Sequence, residues 1–284
     1  MELGRIGVWW SGSWRDAGDP DLNVAGELES LGYGTLWSSG GFDPGLSSRF
    51  GKLLAATERV TVASGIVSVW AGAPADVGPA VADLEARFGG RFLLGLGASH
   101  GTIVPNYERP YMHVVDYLDA LDVLEPPLPP ARRILAALGP RMLELAAART
   151  AGAHPYFVPV EHTARARELL GRGPLLAPEV AVVLETDRTK ALELAREYAA
   201  IYLPTPNYAN NLRRFGYGDD DIDGGGSDRL IEAVIPWGNA DTIARRVHDH
   251  LSAGADHVCV QVVAAYDKFP LAGYRTLAPA LLGR

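Results

Sequence analysis

The sequence is short of lysine. Lys52, Lys190 and Lys268 are the lysines among 26 basic residues, which face 34 acidic ones for a net charge of −8. A general nucleic-acid binder neutralises phosphates with clustered Lys and Arg, so that class is excluded. Cysteine is scarcer still. Cys259 alone excludes an intrachain disulfide framework and a cysteine-built zinc site. No apolar run reaches the ~20 residues that span a bilayer. The opening Met1-Glu2-Leu3-Gly4-Arg5 has no signal-peptide pattern, and a cytoplasmic protein without membrane or nucleic-acid partners is the expectation. His and carboxylate clusters at metal-ligand spacing are missing, so no metal is expected. His248 and His250, two apart on a helix, point to different faces and read as surface residues.

What is present is a regular alternation of strand and helix over a single domain, residues 1–284. Strand candidates are Arg5–Trp10, Tyr33–Ser38, Val60–Val69, Phe92–Leu96, Arg133–Leu138, Gly152–Val158, Glu179–Glu185 and His257–Val263. Apolar residues recur at helical spacing between them, as in Leu22, Ala25, Leu28 and Leu31, or Val77, Val81, Leu84 and Phe88. Eight strands separated by helices predict a (β/α)8 TIM-like barrel, with an open doubly wound sheet as the alternative. The rhythm breaks at residues 204–238, read as an insertion at the active-site end after a helix over Arg188–Tyr202. Its acid run, Asp219 to Asp223, reads as a solvated loop rather than a metal site.

In such barrels function gathers at the C-terminal ends of the strands. The richest exit is Phe92-Leu93-Leu94-Gly95-Leu96-Gly97-Ala98-Ser99-His100-Gly101. Small residues there let backbone N–H groups approach a phosphate, and His100 adds a titratable ring. Its glycine spacing is not the dinucleotide G-x-G-x-x-G. Leu138-Gly139-Pro140-Arg141 forms a second such turn at the start of a helix, where the positive dipole end lies. With Trp9, Trp10, Ser38 to Asp43 and Gln261, these exits make an aromatic, glycine-rich, weakly charged mouth.

Across nearly its whole length the chain resembles the bacterial-luciferase-like monooxygenase superfamily, in its coenzyme F420-dependent branch. The carrying residues, in order, are Gly34 to Ser39, Arg59 to Ile66, Pro74-Ala75, Gly90 to Gly97 and Ala136 to Pro140. The resemblance implies a TIM-like barrel, a homodimer packed through the second and third helices, and a deazaflavin ring across the mouth. It implies a non-prolyl cis peptide in a strand-three bulge, at Gly65–Ile66 or alternatively Ser64–Gly65. Cofactor contacts are then expected from Ser39, Gly40, Ser64, Gly65, Ile66, Gly97, Ala98, Ser99, Leu138 and Gly139, with Trp9, Phe42 and Trp70 walling the substrate pocket.

The chain departs from the pattern in one place that matters for chemistry. Many relatives carry an acidic residue and then His after strand two, whereas this chain reads Trp37-Ser38-Ser39-Gly40-Gly41-Phe42. Gly41 cannot move a proton. His100 becomes the first candidate catalytic donor, ahead of Tyr107 and His113. The turn Phe157 to His162 holds no Lys or Arg, which excludes glucose-6-phosphate as substrate. The resulting expectation is an F420-dependent oxidoreductase passing hydride to or from an uncharged small molecule. The alternatives are an FMN-dependent monooxygenase and a cofactor-binding barrel without turnover.

Overall fold

Apolar runs alternating with amphipathic helices close into a ring of parallel strands. The computed structural model describes residues 2–10, 22–40, 46–264 and 269–283. Gly41, Phe42 and Asp43 lie outside the described residues. The strands are β1 (Ile6–Trp10), β2 (Thr35–Ser38), β3 (Thr61–Ser64), β4 (Val67–Ser68), β5 (Phe92–Gly97), β6 (Arg133–Leu135), β7 (Gly152–Ala153), β8 (Leu175–Leu176), β9 (Glu179–Val182) and β10 (Val258–Val262). Their order around the sheet is β8-β7-β6-β5-β3-β2-β1-β10-β9, with β4 also on β5.

The ring closes because β8 and β9 are two halves of one extended segment. Pro178 interrupts it, since proline has no N–H to offer a neighbour. On one side the Ala177 N–H donates to Ala153 O at 2.9 Å; on the other the Cys259 N–H donates to Pro178 O at 2.9 Å. The barrel predicted from the sequence is therefore the observed fold, and the open sheet is not. Strand three, expected as one run over Val60–Val69, is likewise split into β3 and β4. The Gly65–Ile66 peptide between them is cis, at the first of the two expected bonds.

Strand alternation sorts side chains into two layers. Val8, Leu36, Val62, Leu94, Val180 and Val260 face outward into the main core beneath the helices. Trp9, Trp37, Ala63, Leu93, Ile134, Ala177 and Cys259 face inward and fill the barrel. The surrounding helices include α1 (Leu22–Leu31), α2 (Leu46–Ala55), α3 (Pro74–Phe88), α4 (Pro110–Asp122), α5 (Pro140–Arg149) and α6 (Val160–Leu170). Four helices follow β9: α7 (Arg188–Ala199), α8 (Pro206–Arg214), α9 (Asp219–Ile222) and α10 (Asp228–Val234). The chain returns through α11 (Ala240–Ser252) and ends its described part in α12 (Leu271–Leu282). Tyr274 of α12 ties the seam, its hydroxyl lying 3.0 Å from Trp9 O and 3.1 Å from Val260 O.

The insertion begins earlier than residue 204. The chain leaves the barrel at Val183 and returns at Trp237, where the two form a parallel bridge. Between them α7, α8 and α10 pack into a second apolar core with Phe157, built on Tyr198, Tyr208, Leu212, Leu230 and Ile231. Thus α7 belongs to a cap, and α11 is the helix that leads into β10 and packs on α6 and α12. The acid run is a short helix, and Asp221 there pairs with Arg229. His250 is also not at the surface: it is 1% exposed, with Nδ1 2.8 Å from Thr163 Oγ1. Among the described residues no helix is long and apolar enough to cross a membrane.

Two glycine substitutions test the closure. A Cβ on Gly95 would overlap the Ser64 carbonyl across β3 and β5, so Gly95→Ala is expected to cost more than ~3 kcal/mol. Gly51 lies in α2, where a Cβ would meet Leu84 Cδ2 at an ordinary 3.5 Å. Gly51→Ala is expected to be neutral or to stabilise by up to ~1 kcal/mol through helix propensity. Urea unfolding of both variants checks the contrast.

Candidate active site

The exits of β3, β4 and β5 make a floor of nearly bare backbone. Ser64 and Gly97 lie at neighbouring strand ends, and β4 pairs with β5 through Ser68 and Gly97. A Cβ on Gly97 would lie 3.0 Å from both Ile66 Cδ1 and Ala136 Cβ. A Cβ on Gly65 would overlap the Trp9 ring and come within 3.1 Å of His154 Nε2. At Gly65 and Gly97 the neighbouring side chains thus leave no room for a Cβ, and the backbone stays bare. Ser99 follows in the left-handed region at φ 60°, which turns the chain tightly after Gly97 and Ala98.

Several expected site residues converge here, and some do not. Ile66, Gly65, Gly97, Ala98 and Ser99 are neighbours. Trp70 stands at their edge, its indole N–H donating to Ala98 O at 2.7 Å and its ring stacked on His113 at 3.8 Å. Trp9 is 7% exposed and supports Gly65 from inside the barrel, so it is floor rather than pocket wall. The Ser64 hydroxyl is buried, donating to Gly95 O at 3.0 Å and accepting from the Gly95 N–H at 2.8 Å. Ser39 and Gly40 continue from β2, with Ser39 O accepting from Arg49 at 2.8 Å. Phe42 lies outside the described residues.

The second turn sits one strand further round. Gly139 caps α5, with Pro140 as its first residue. Arg141 turns away onto the Tyr111 ring, 4.2 Å from its centre. The basic group near the turn is instead Arg214 of α8, whose Nη1 would lie 3.4 Å from a Cβ on Gly139. The same guanidinium, together with burial, lowers the pKa of His162, which accordingly remains neutral beneath Leu138 O. No sequence motif marks Arg214, because its position depends on how the cap folds back.

His100 meets the cap as well. Its Nδ1 lies 3.1 Å from Asn207 Oδ1, and its ring is 5.2 Å from that of Tyr208. With Nδ1–H given to the amide oxygen, Nε2 carries a lone pair. Burial lowers the His100 pKa, so the imidazolium is scarce at neutral pH. In that tautomer the neutral ring offers Nε2 as a hydrogen-bond acceptor. The two weaker candidates are engaged too, Tyr107 with Ser99 O at 3.1 Å and His113 with Val69 O at 3.1 Å.

Beneath the mouth lies a set of polar groups that no sequence motif marks. Trp37 stacks on His154 at 4.2 Å and donates its indole N–H to His257 Nε2 at 3.0 Å. His154 Nδ1 and His257 Nδ1 face carbonyls, Ala177 O at 2.6 Å and Gly4 O at 2.8 Å. Glu179 points inward from β9 and is 1% exposed. One carboxyl oxygen lies 3.3 Å from the Tyr198 hydroxyl, and the other accepts from the Phe157 N–H at 3.4 Å. A lone Glu between Pro178 and Val180 in an apolar strand was the available signal. Among the described residues no cluster of His, Cys, Asp and Glu could hold a metal ion.

Comparison with known proteins gives three findings. The sequence model of a family described as luciferase-like monooxygenase matches residues 17–257. No curated protein matches the chain. Among solved structures, an F420-dependent secondary alcohol dehydrogenase in complex with an F420-acetone adduct aligns over 99% of each chain, at 17% identity and a TM-score of 0.74. The coenzyme F420 dependent tetrahydromethanopterin reductase from Methanopyrus kandleri aligns over 100% of this chain and 99% of its own, at 16% identity and 0.74. The oxygenating constituent of 3,6-diketocamphane monooxygenase from Pseudomonas putida, in complex with FMN, covers 96% and 95% at 16% identity and 0.67. At such identities these likenesses establish the fold.

The buried rings and carboxyl predict opposite pH effects. Burial lowers His154, His162 and His257 to about 4 and His250 to about 3, from 6.5. The unfolded chain then binds protons that the native state refuses, so stability is complete above 6.5 and falls as pH drops towards those values. Each ring adds up to ~1.4 kcal/mol per pH unit. Burial raises Glu179 to about 8, from 4.5, so its contribution declines as pH rises between those values. Urea midpoints should therefore fall steeply below about pH 6. Glu179→Gln should gain on the native protein by ~1.4 kcal/mol per pH unit from about pH 5 to about pH 8.

Proposed function

The chain belongs to the luciferase-like monooxygenase family, and on that premise we propose that it is a deazaflavin-dependent oxidoreductase. Coenzyme F420 is the cofactor in this reading, and an uncharged small organic molecule the substrate. The observation that carries it is the floor at the exits of β3 and β5. Gly65 and Gly97 have no room for a side chain against Trp9, Ile66 and Ala136, so the floor there is bare backbone backed by packed apolar groups. A flat ring fits such a floor. Gly97, Ala98, Ser99, Leu138 and Gly139 would hold the phosphate through backbone N–H groups, with Arg214 as the nearby cation. When bound, the deazaflavin supplies hydride transfer at its ring carbon.

The chain's own residues do the positioning. Trp70 fixes the Ala98 turn, and His100 joins that turn to Asn207 of the cap. Trp9 prevents the floor from sinking into the barrel. The choice of F420 over FMN is supported by the closer fit to the two F420 enzymes, 0.74 against 0.67 for the FMN-bound monooxygenase. An FMN-dependent monooxygenase is the second reading, favoured by that FMN-bound neighbour.

Fluorescence titration of the purified protein with F420 and with FMN separates them. Saturable F420 binding at least ~10-fold tighter than FMN, a difference of ~1.4 kcal/mol, is the expected result. Tight FMN binding with no response to F420 would overturn the assignment in favour of the second reading.

A further inference from the structure

A connected set of hydroxyl and carboxyl groups runs from the barrel interior to the mouth, and no step of the reading above uses it. Glu179 is its inner end. Tyr198 of α7 lies 3.3 Å from the carboxyl and 2.8 Å from the Tyr156 hydroxyl. Tyr156, at the exit of β7, is also 3.0 Å from the Tyr202 hydroxyl and donates to Gln261 Oε1 at 2.9 Å. Tyr156 and Tyr202 are the partly exposed members of the set, and Tyr156 is the one through which Tyr198 and Glu179 connect to it; its ring packs edge-on against Trp9, the support of Gly65, at 5.3 Å.

We propose that Glu179, Tyr198 and Tyr156 form a buried proton relay whose outlet is the Tyr156 hydroxyl at the barrel mouth. The proposal rests on the oxidoreductase reading for its use, though not for its existence. Its chemistry balances as follows. A carbonyl carbon that receives hydride from a reduced deazaflavin leaves an electron pair on its oxygen. The Tyr156 O–H bond breaks and its proton goes to that oxygen. The Tyr198 hydroxyl proton moves to Tyr156 and the Glu179 carboxyl proton moves to Tyr198; water at the mouth then protonates Tyr156, and the same bonds run in reverse, Tyr156 to Tyr198 to Glu179, to restore the buried carboxyl.

Three observations support the relay. First, the carboxyl has no cation beside it among the described residues. Tyr198 and the Phe157 N–H bond to it, and its charge would disfavour ionisation of the Cys259 thiol and of the Tyr156, Tyr198, Tyr208 and Tyr274 hydroxyls. Burial without a counter-charge raises it to about 8, so at neutral pH it still holds the proton it would pass on. Second, Tyr156 and Tyr198 both lie within reach of Gln261 Oε1, at 2.9 and 3.3 Å, so their protons have alternative acceptors and can shift along the set. Third, His100 presents a lone pair, which leaves a hydroxyl as the available donor at this mouth.

The test needs no substrate. Infrared spectra of the whole protein at pH 7 should contain a protonated-carboxyl stretch that Glu179→Gln removes. On rapid mixing into deuterated water, that band should shift at least ~10-fold more slowly in Tyr156→Phe than in the native protein, since the outlet is gone. A group that merely anchors the cap would exchange at the same rate, or faster, in that variant. No carboxyl band lost in Glu179→Gln, or unchanged exchange in Tyr156→Phe, overturns the relay. Titration of Tyr156→Phe with F420 and FMN keeps the two claims apart. Unchanged cofactor affinity with slowed exchange supports both. Slowed exchange in a protein that binds neither cofactor supports the relay and overturns the oxidoreductase reading.

Discussion

A charge inside a ring of eight strands has no water and very little to replace it. Transfer of an ion into such an interior costs several kcal/mol even after relaxation, so ionisable groups there stay neutral or leave. The rest of this interior follows from that constraint. His257 is held in one tautomer, Nδ1–H towards Gly4 O and Nε2 accepting from Trp37. His154 is clamped flat on Trp37 with its own Nδ1 on Ala177 O. Glu179 keeps its proton, and the tyrosines above it share theirs. Neutrality turns what would be a set of repelling charges into a hydrogen-bonded column beneath the mouth.

The cap depends on the same column. Its chain leaves and returns at one bridge, Val183 to Trp237, so the excursion is a closed loop with a narrow base. Such a base fixes where the cap starts but not how it leans. The lean is set by Tyr198 and Tyr202, whose hydroxyls reach Tyr156, and by Asn207, which reaches His100 across the mouth. Phe157 joins the two bodies, lying in the cap's apolar core while its N–H meets the barrel's Glu179. Barrel and cap are therefore one polar unit at their junction, although their apolar cores are separate.

The barrel was legible because buried parallel strands read as short apolar runs, and each such run in the sequence became a strand or part of one. Gly65–Ile66 was legible only through the family resemblance, since composition gives no sign of a break in Val60–Val69. The cap boundary was not legible. Helix α7 carries an ordinary amphipathic pattern, Ala191, Leu192, Ala195 and Ala199 on one face, and periodicity does not say which core that face meets. His100 follows the glycine-rich exit, but its partner Asn207 lies more than a hundred residues away, where no local pattern points to it. The Ser64–Gly95 pairing is hidden for a related reason: a serine at a strand end satisfies the next strand as readily as a ligand. His250 reads as a surface residue from its spacing alone, because nothing local shows that Thr163 faces it.

The mouth is divided chemically, and under the proposed function the division sets how reactants lie. The exits of β3, β4, β5 and β6 offer bare backbone, apolar side chains and the Gly139 turn. Those of β7 and β10, with the cap's α7, offer the hydroxyls of Tyr156, Tyr198 and Tyr202 and the Gln261 amide. A cofactor ring held by the first side would supply hydride opposite these hydroxyls. A substrate between them would have hydroxyl protons within reach of its carbonyl oxygen, which is what carbonyl reduction requires. Among the described residues neither side carries a fixed charge at the centre, so under the proposed function a charged substrate would lose its hydration without compensation from them. An uncharged one would not, and the same desolvation that keeps Glu179 protonated below the mouth selects for it above.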